Sequence, residues 1–135
     1  MPRDGAGVVS RLTFSALRQA NIARLPLLKN RRGELAHSEA DGSDWKLSAW
    51  GNAVLGELGE AANLIKKIER HDFSLDDARG ELAKELADVV TYLDILAFRA
   101  GIDLGEATVR KFNEVSERVG CGVFLSAADT EGPTP

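Results

Sequence analysis

Residues 74–101 read SLDDARGELAKELADVVTYLDILAFRAG, and this stretch decides the fold. Leu75, Ala78, Leu82, Leu86, Val89, Leu93, Leu96 and Ala100 recur every three or four positions, the period of one helix face. Ser74 stands where an N-cap is needed, Asp76 and Asp77 favour the first turn, and Gly101 is placed as a terminating glycine. The spacing predicts a helix roughly 40 Å long.

Working outward, a second helix is expected from an Asp44 N-cap to Arg70, with Trp50, Val54, Leu58, Ala61, Ile65 and Ile68 on one face. His71-Asp72-Phe73 breaks it, and so short a turn makes these two helices antiparallel neighbours. Downstream, Asp103 with Glu106 approximates a capping box for a further helix striped by Val109, Phe112, Val115 and Val119 and stopped by Gly120. Upstream, a first helix is expected over residues 9–25, beginning near Ser10 and stopped by Pro26. Residues 26–46 read as a long loop, either a functional lid or mobile, and 126–135 as a frayed tail. No strand pattern competes and no internal repeat is visible. The expectation is all-α: one domain over residues 1–135, an antiparallel bundle of about four helices with its core in 45–120.

At 135 residues, 44% hydrophobic and 28% charged, the chain has the composition of one ordinary globular domain. No apolar run is long enough to span a membrane, and no apolar segment follows the N-terminus as in a signal peptide. The single cysteine, Cys121, excludes an internal disulfide or a multi-cysteine zinc site. A cytoplasmic protein is expected. Net charge is −4 but unevenly spread: residues 1–33 carry seven basic side chains and one acid, the remainder ten basic and twenty acidic. So acidic a body argues against stable nucleic-acid binding.

Glu57 and Glu60 lie three apart in the second helix, and Glu85 and Asp88 three apart in the third. Glu57 falls inside the apolar arc between Trp50 and Ala61; Glu85 and Asp88 flank the arc of Leu82, Val89 and Leu96, with Glu81 and Tyr92 on the same ridge. Each pair aims two carboxylates off one helix, and folding back about the Ser74 turn levels them. Four facing carboxylates repel and are partly desolvated. A hard divalent cation, Mg2+ or in its place Mn2+, resolves that cost with oxygen ligands and waters that a phosphate can replace. The bland alternative is four solvated helix acids.

The strings GELGEAANLIKK, KELADVVTYLDILAFRAGIDLGEA and KFNEVSERVG, roughly residues 45–120, resemble the ExxE…ExxD pattern of the MazG-like all-α nucleoside triphosphate pyrophosphohydrolases. The resemblance implies Mg2+-dependent cleavage of a nucleoside triphosphate to monophosphate and pyrophosphate, in a house-cleaning or pool-control role. It implies Glu57, Glu60, Glu85 and Asp88 as metal ligands and Lys111, then Arg118, as phosphate contacts. Many relatives carry a further glutamate where this chain has Gly56. The general base then falls to Glu57 acting on a metal-bound water, or to Glu81 behind the ligands.

Asn21 and Arg24 end the first helix and could reach a nucleotide. Trp45 is a candidate for stacking on a base, whereas Trp50 belongs to the core. His37 and His71 read as surface residues, and Lys66 and Lys67 as solvated. Leu55, Ala62 and Phe98 lie outside the main stripes, and a homodimer or dimer of dimers is expected, as the resembling family forms. Two other readings compete: a non-catalytic helical interaction module that keeps the fold, favoured by Gly56, and a di-iron carboxylate bundle, disfavoured because it needs Glu-x-x-His on two helices, which neither His37 in its loop nor His71 in its turn supplies.

Overall fold

A computed structural model describes residues 11–126, and these are all-α. Helix α1 spans Phe14–Arg24 and runs into a 3-10 turn, Leu25–Leu27. Helices α2 (Leu47–Glu69), α3 (Leu75–Arg99) and α4 (Leu104–Val119) follow. The helix expected from residue 10 starts later. Thr13 is extended, and its hydroxyl accepts the Ala16 N–H at 3.0 Å, so the cap lies there. Residues 1–10 and 127–135, including most of the expected tail, lie outside the described residues. Pro26 tightens the chain into the 3-10 turn, because it cannot donate to an α ladder.

Ser74 and Asp103 cap α3 and α4 as expected: Ser74 Oγ accepts the Asp77 N–H at 3.1 Å, and Asp103 Oδ1 accepts the Glu106 N–H at 3.0 Å. Gly101 and Gly120 adopt the left-handed conformation that ends a helix, with φ of 71° and 67°. Asp44 does not cap α2. Its Oδ2 accepts the Ser38 N–H at 3.3 Å and its Oδ1 lies 3.4 Å from His37 Nδ1, so the loop consumes the carboxylate. Lys46 is the N-cap and makes no side-chain bond.

The antiparallel α2–α3 pair is the body of the fold. Trp50, Leu25 and Ile95 are its largest fully buried apolar side chains, with Leu28, Tyr92, Leu96 and Phe98 packed around them. Asp94, 1% exposed, is buried as deeply. Arg18 Nε donates to it at 3.1 Å and Asn21 Nδ2 at 2.9 Å, and Arg18 Nη2 also donates to the Ile102 carbonyl at 2.8 Å. This network fixes α1 along the C-terminal half of α3. A buried carboxylate is tolerable only when its partners are supplied in this way.

The segment 28–46, expected as a lid or mobile loop, is tied to the body. Asn30 Oδ1 accepts the N–H groups of Arg32 and Glu34, and a Lys29–Leu35 bridge closes the turn. His37, expected on the surface, is 6% exposed, stacked on Trp50 with ring centroids 5.1 Å apart and edge-on to Trp45 at 4.8 Å. Its neighbours are a short-range cluster that a helical period cannot reveal. Gly42 accepts the Trp50 indole N–H at 3.3 Å, and Arg99 Nη1 donates to Asp41 at 3.3 Å. Phe98, read as outside the core, packs against it and lies beneath the Arg18 guanidinium, 5.7 Å from the ring centre.

Helix α4 meets α1 where Gly105 faces the Phe14 side chain, which lies 3.1 Å from the place a Cβ would occupy. The stripe expected to seal α4 into the bundle is only partly covered: Val109 and Val115 are half-buried, whereas Phe112 and Val119 are exposed. After Gly120 the chain turns back, and Asn113 clamps Leu125 through two bonds of 2.8 Å.

Candidate metal centre

Glu57 and Glu85 are half-buried on the facing sides of α2 and α3, and Asp88 is exposed one turn further along α3. One oxygen from each of Glu57, Glu85 and Asp88 lies within 4.8 Å of the others. Glu60 joins them through a side-chain hydrogen bond and its charge on Glu85, and through its charge on Glu57. Of the four acids expected to converge, Glu57, Glu85 and Asp88 form one group, and Glu60 interacts with Glu57 and Glu85 from outside it.

Their proximity is visible in their protonation. Burial, followed by the Glu60 and Asp88 charges, raises the Glu57 carboxyl, against a hydrogen bond with Glu85 that lowers it. Glu85 is pushed up to about 7 by burial first, then by hydrogen bonding and charge from Glu60 and Glu57. Such a set holds a shared proton or takes up a cation. Oxygen ligands of Mg2+ at about 2.1 Å stand no more than roughly 4.2 Å apart. Carboxylates already within 4.8 Å reach that geometry through small side-chain rotations. The residues thus fit a hard divalent cation.

Tyr92 borders this cluster and was not singled out as a site residue in the sequence. Burial leads in raising its phenol, with the Glu57 and Asp88 charges adding and Arg24 opposing them. Tyr92 thus feels the charges of both the acids and Arg24, the exposed last residue of α1. Its place on the same ridge as Glu81 and Glu85 was the available signal.

The remaining candidate residues are distributed elsewhere. Asn21, expected to face a nucleotide, is buried and donates to Asp94 and to the Thr91 carbonyl; it is a packing residue. Trp45 is 39% exposed but lies against His37 and Trp50 in the loop cluster. Glu81 is exposed and paired with Lys84 at 3.0 Å on its own helix. Lys111 is paired with Glu114 at 2.6 Å and lines clefts along α4 that contain none of the four acids. Arg118 is exposed on the last turn of α4. Gly56 is exposed, and a Cβ there would meet nothing. No helix among the described residues is long and apolar enough to cross a membrane.

No family model matches the chain, and no solved structure matches it. Over 78 residues it is 35% identical to the Gene 37 protein of Mycobacterium phage L5, an alignment covering 56% of this chain and 68% of that protein. The chain belongs to the family of that phage protein.

Proposed function

We propose that this protein is a Mg2+-dependent nucleotide pyrophosphohydrolase, converting a nucleoside triphosphate to its monophosphate and pyrophosphate. The observation that carries the reading is the meeting of Glu57, Glu60, Glu85 and Asp88 on two adjacent helices. The motif resemblance of the same residues supports it. A bound Mg2+ would supply charge neutralisation and an activated water for attack on phosphorus. Glu57, Glu85 and Asp88 would hold the ion, with Glu60 beside them; Mn2+ suits the same oxygen donors.

The chain's own groups set the rest. Glu57 is the better placed base, because its raised carboxyl lies inside the cluster while Glu81 is occupied by Lys84 in solvent. Arg24 acts on the same Tyr92 phenol as Glu57 and Asp88 do, and would suit a phosphate held near the acids. Cleavage at the α-phosphorus needs positioning and charge neutralisation more than a covalent nucleophile.

The test is a panel of ribo- and deoxynucleoside triphosphates incubated with Mg2+ and followed by phosphorus NMR. Expected products are monophosphate and pyrophosphate, lost in Glu57→Gln. Stepwise release of inorganic phosphate, or turnover that survives chelation, would overturn the reading. A panel with no turnover would favour the non-catalytic helical module instead.

A further inference from the structure

Two side-chain atoms among the described residues are buried without a hydrogen-bond partner, His37 Nδ1 and Arg99 Nε. Both belong to residues that seat the segment 37–45 on the helices. Buried polar atoms are paired as a rule, so two orphans on one seat mark it as incompletely satisfied. Arg99, at the end of α3, reaches the segment through Asp41, to which its Nη1 donates. His37 is held more deeply, with its side chain 2% exposed. Its ring stacks on Trp50 and stands edge-on to Trp45, and the two indoles meet with centres 4.7 Å apart. The segment returns to the same rings through the Gly42 carbonyl, which accepts the Trp50 indole N–H.

His37 Nδ1 faces an anion that it does not bond. Asp44 Oδ1 lies 3.4 Å away, out of hydrogen-bond alignment. Burial raises the Asp44 carboxyl, but the Ser38 N–H, its own N–H and the charge of His37 outweigh it and hold the group below the ordinary carboxylate range. A fixed negative charge therefore stands beside the imidazole over the range in which histidines exchange their proton. The other titratable groups around the segment are engaged elsewhere. Asp41 is taken by the Ser43 N–H and Arg99, Glu39 and Lys46 are exposed, and Tyr92 of α3 stands against Trp50, 6.4 Å between ring centres.

We infer that His37 and Asp44 form a proton-operated latch, which fastens the segment 37–45 over Trp50 when His37 is charged and loosens it when His37 is neutral. A neutral imidazole offers Asp44 either a misaligned N–H or a lone pair that repels it. An imidazolium carries N–H on both nitrogens, pairs with the carboxylate, and is attracted to the Trp50 face on which it stacks. Burial opposes that charge, and the carboxylate and the indole offset the cost. None of the four acids takes part, so the latch is independent of the proposed activity.

The experiment is tryptophan fluorescence and amide exchange of the full chain between pH 5 and 8. An imidazolium in contact with an indole quenches its emission, so intensity should rise through one transition as His37 is neutralised. That transition should be lost in His37→Gln and kept in His71→Gln, which removes the chain's other histidine. Glu85 titrates in the same window and remains in both variants, so a change that depends on it survives the substitution. The Ser38 and Trp45 N–H groups donate to Asp44 and to the Gly42 carbonyl. With the intrinsic rate corrected for, both should exchange roughly tenfold faster at pH 8 than near pH 5.5. Asp44→Asn keeps the ring in place without the anion and should abolish that difference. An emission without a transition, a transition of full size in His37→Gln, or an exchange difference unchanged in Asp44→Asn would overturn the latch.

Discussion

The proposed metal centre makes a quantitative demand on pH. Glu85 titrates near 7, against 4.5 for an ordinary glutamate. A carboxylate must be deprotonated to bind Mg2+, so proton and metal compete at this oxygen. At pH 6 about one protein in eleven carries Glu85 ionised, and at pH 8 about ten in eleven. Metal affinity should therefore be about tenfold weaker at pH 6 than at pH 8 and level above pH 8. Glu57, raised for related reasons, steepens the lower end.

The sign for stability follows from the same shift. A raised carboxyl favours the protonated form in the fold, so its contribution is fully present below pH 4.5 and is lost as pH rises through about 7. The metal-free protein should lose part of its stability over that window, and metal binding should return it. Isothermal titration of Mn2+ into chelator-treated protein between pH 6 and 8 reads the affinity directly. Glu85→Gln should bind more weakly, with a flatter profile. An affinity independent of pH in the wild type, or an unchanged profile in Glu85→Gln, would refute the convergence of these acids on one ion.

Asp94→Ala strands Asn21 and Arg18 at a buried site and should cost about 3 kcal/mol, lowering Tm by roughly 10 °C in a thermal melt. Gly42→Ala places a Cβ 2.9 Å from the Trp50 ring at a φ of 73°, and should destabilise by about 2 kcal/mol in a urea titration that also shifts tryptophan fluorescence. Removing the α4 cap with Asp103→Ala should cost about 1 kcal/mol and speed amide exchange at Glu106.

The helical period made α2 and α3 legible because it runs unbroken for six turns or more in each. The acid convergence was legible for the same reason: a three-residue spacing on two helices joined by a short turn leaves few registers. What the period cannot carry was lost. His37 lies in a loop rich in glycine, serine and charge, and its burial depends on Trp45, just before α2, and Trp50, in its first turn, closing over it. Asn21 looked available because it ends a helix on the basic segment. Its partner Asp94 lies 73 residues away, and only a buried acid in the run TYLDILAF hinted that something must meet it. Asp44 had the right chemistry for a cap, but the loop claimed it first.

The location of the acids follows from a mismatch of lengths. Helix α1 has 11 residues and α3 has 25, about 16 Å against about 38 Å, so α1 can shelter less than half of its neighbour. Arg18 and Asn21 fix it over Thr91–Ile102, and it runs out at Arg24, beside Tyr92. Glu85 and Asp88 begin one turn beyond that point, where the covering helix has ended and its last cation remains. Had α1 continued along α3, any further burial it gave these carboxylates would oppose folding, because they already repel one another. With the helix ended there, Glu57 and Glu85 are half-buried and Glu60 and Asp88 exposed: desolvated enough to raise Glu85 to about 7, open enough to admit a hydrated ion. The Pro26 turn that stops α1 therefore shapes the site as directly as the acids do. Extending the helix past it should suppress metal binding while leaving the Asp94 network intact.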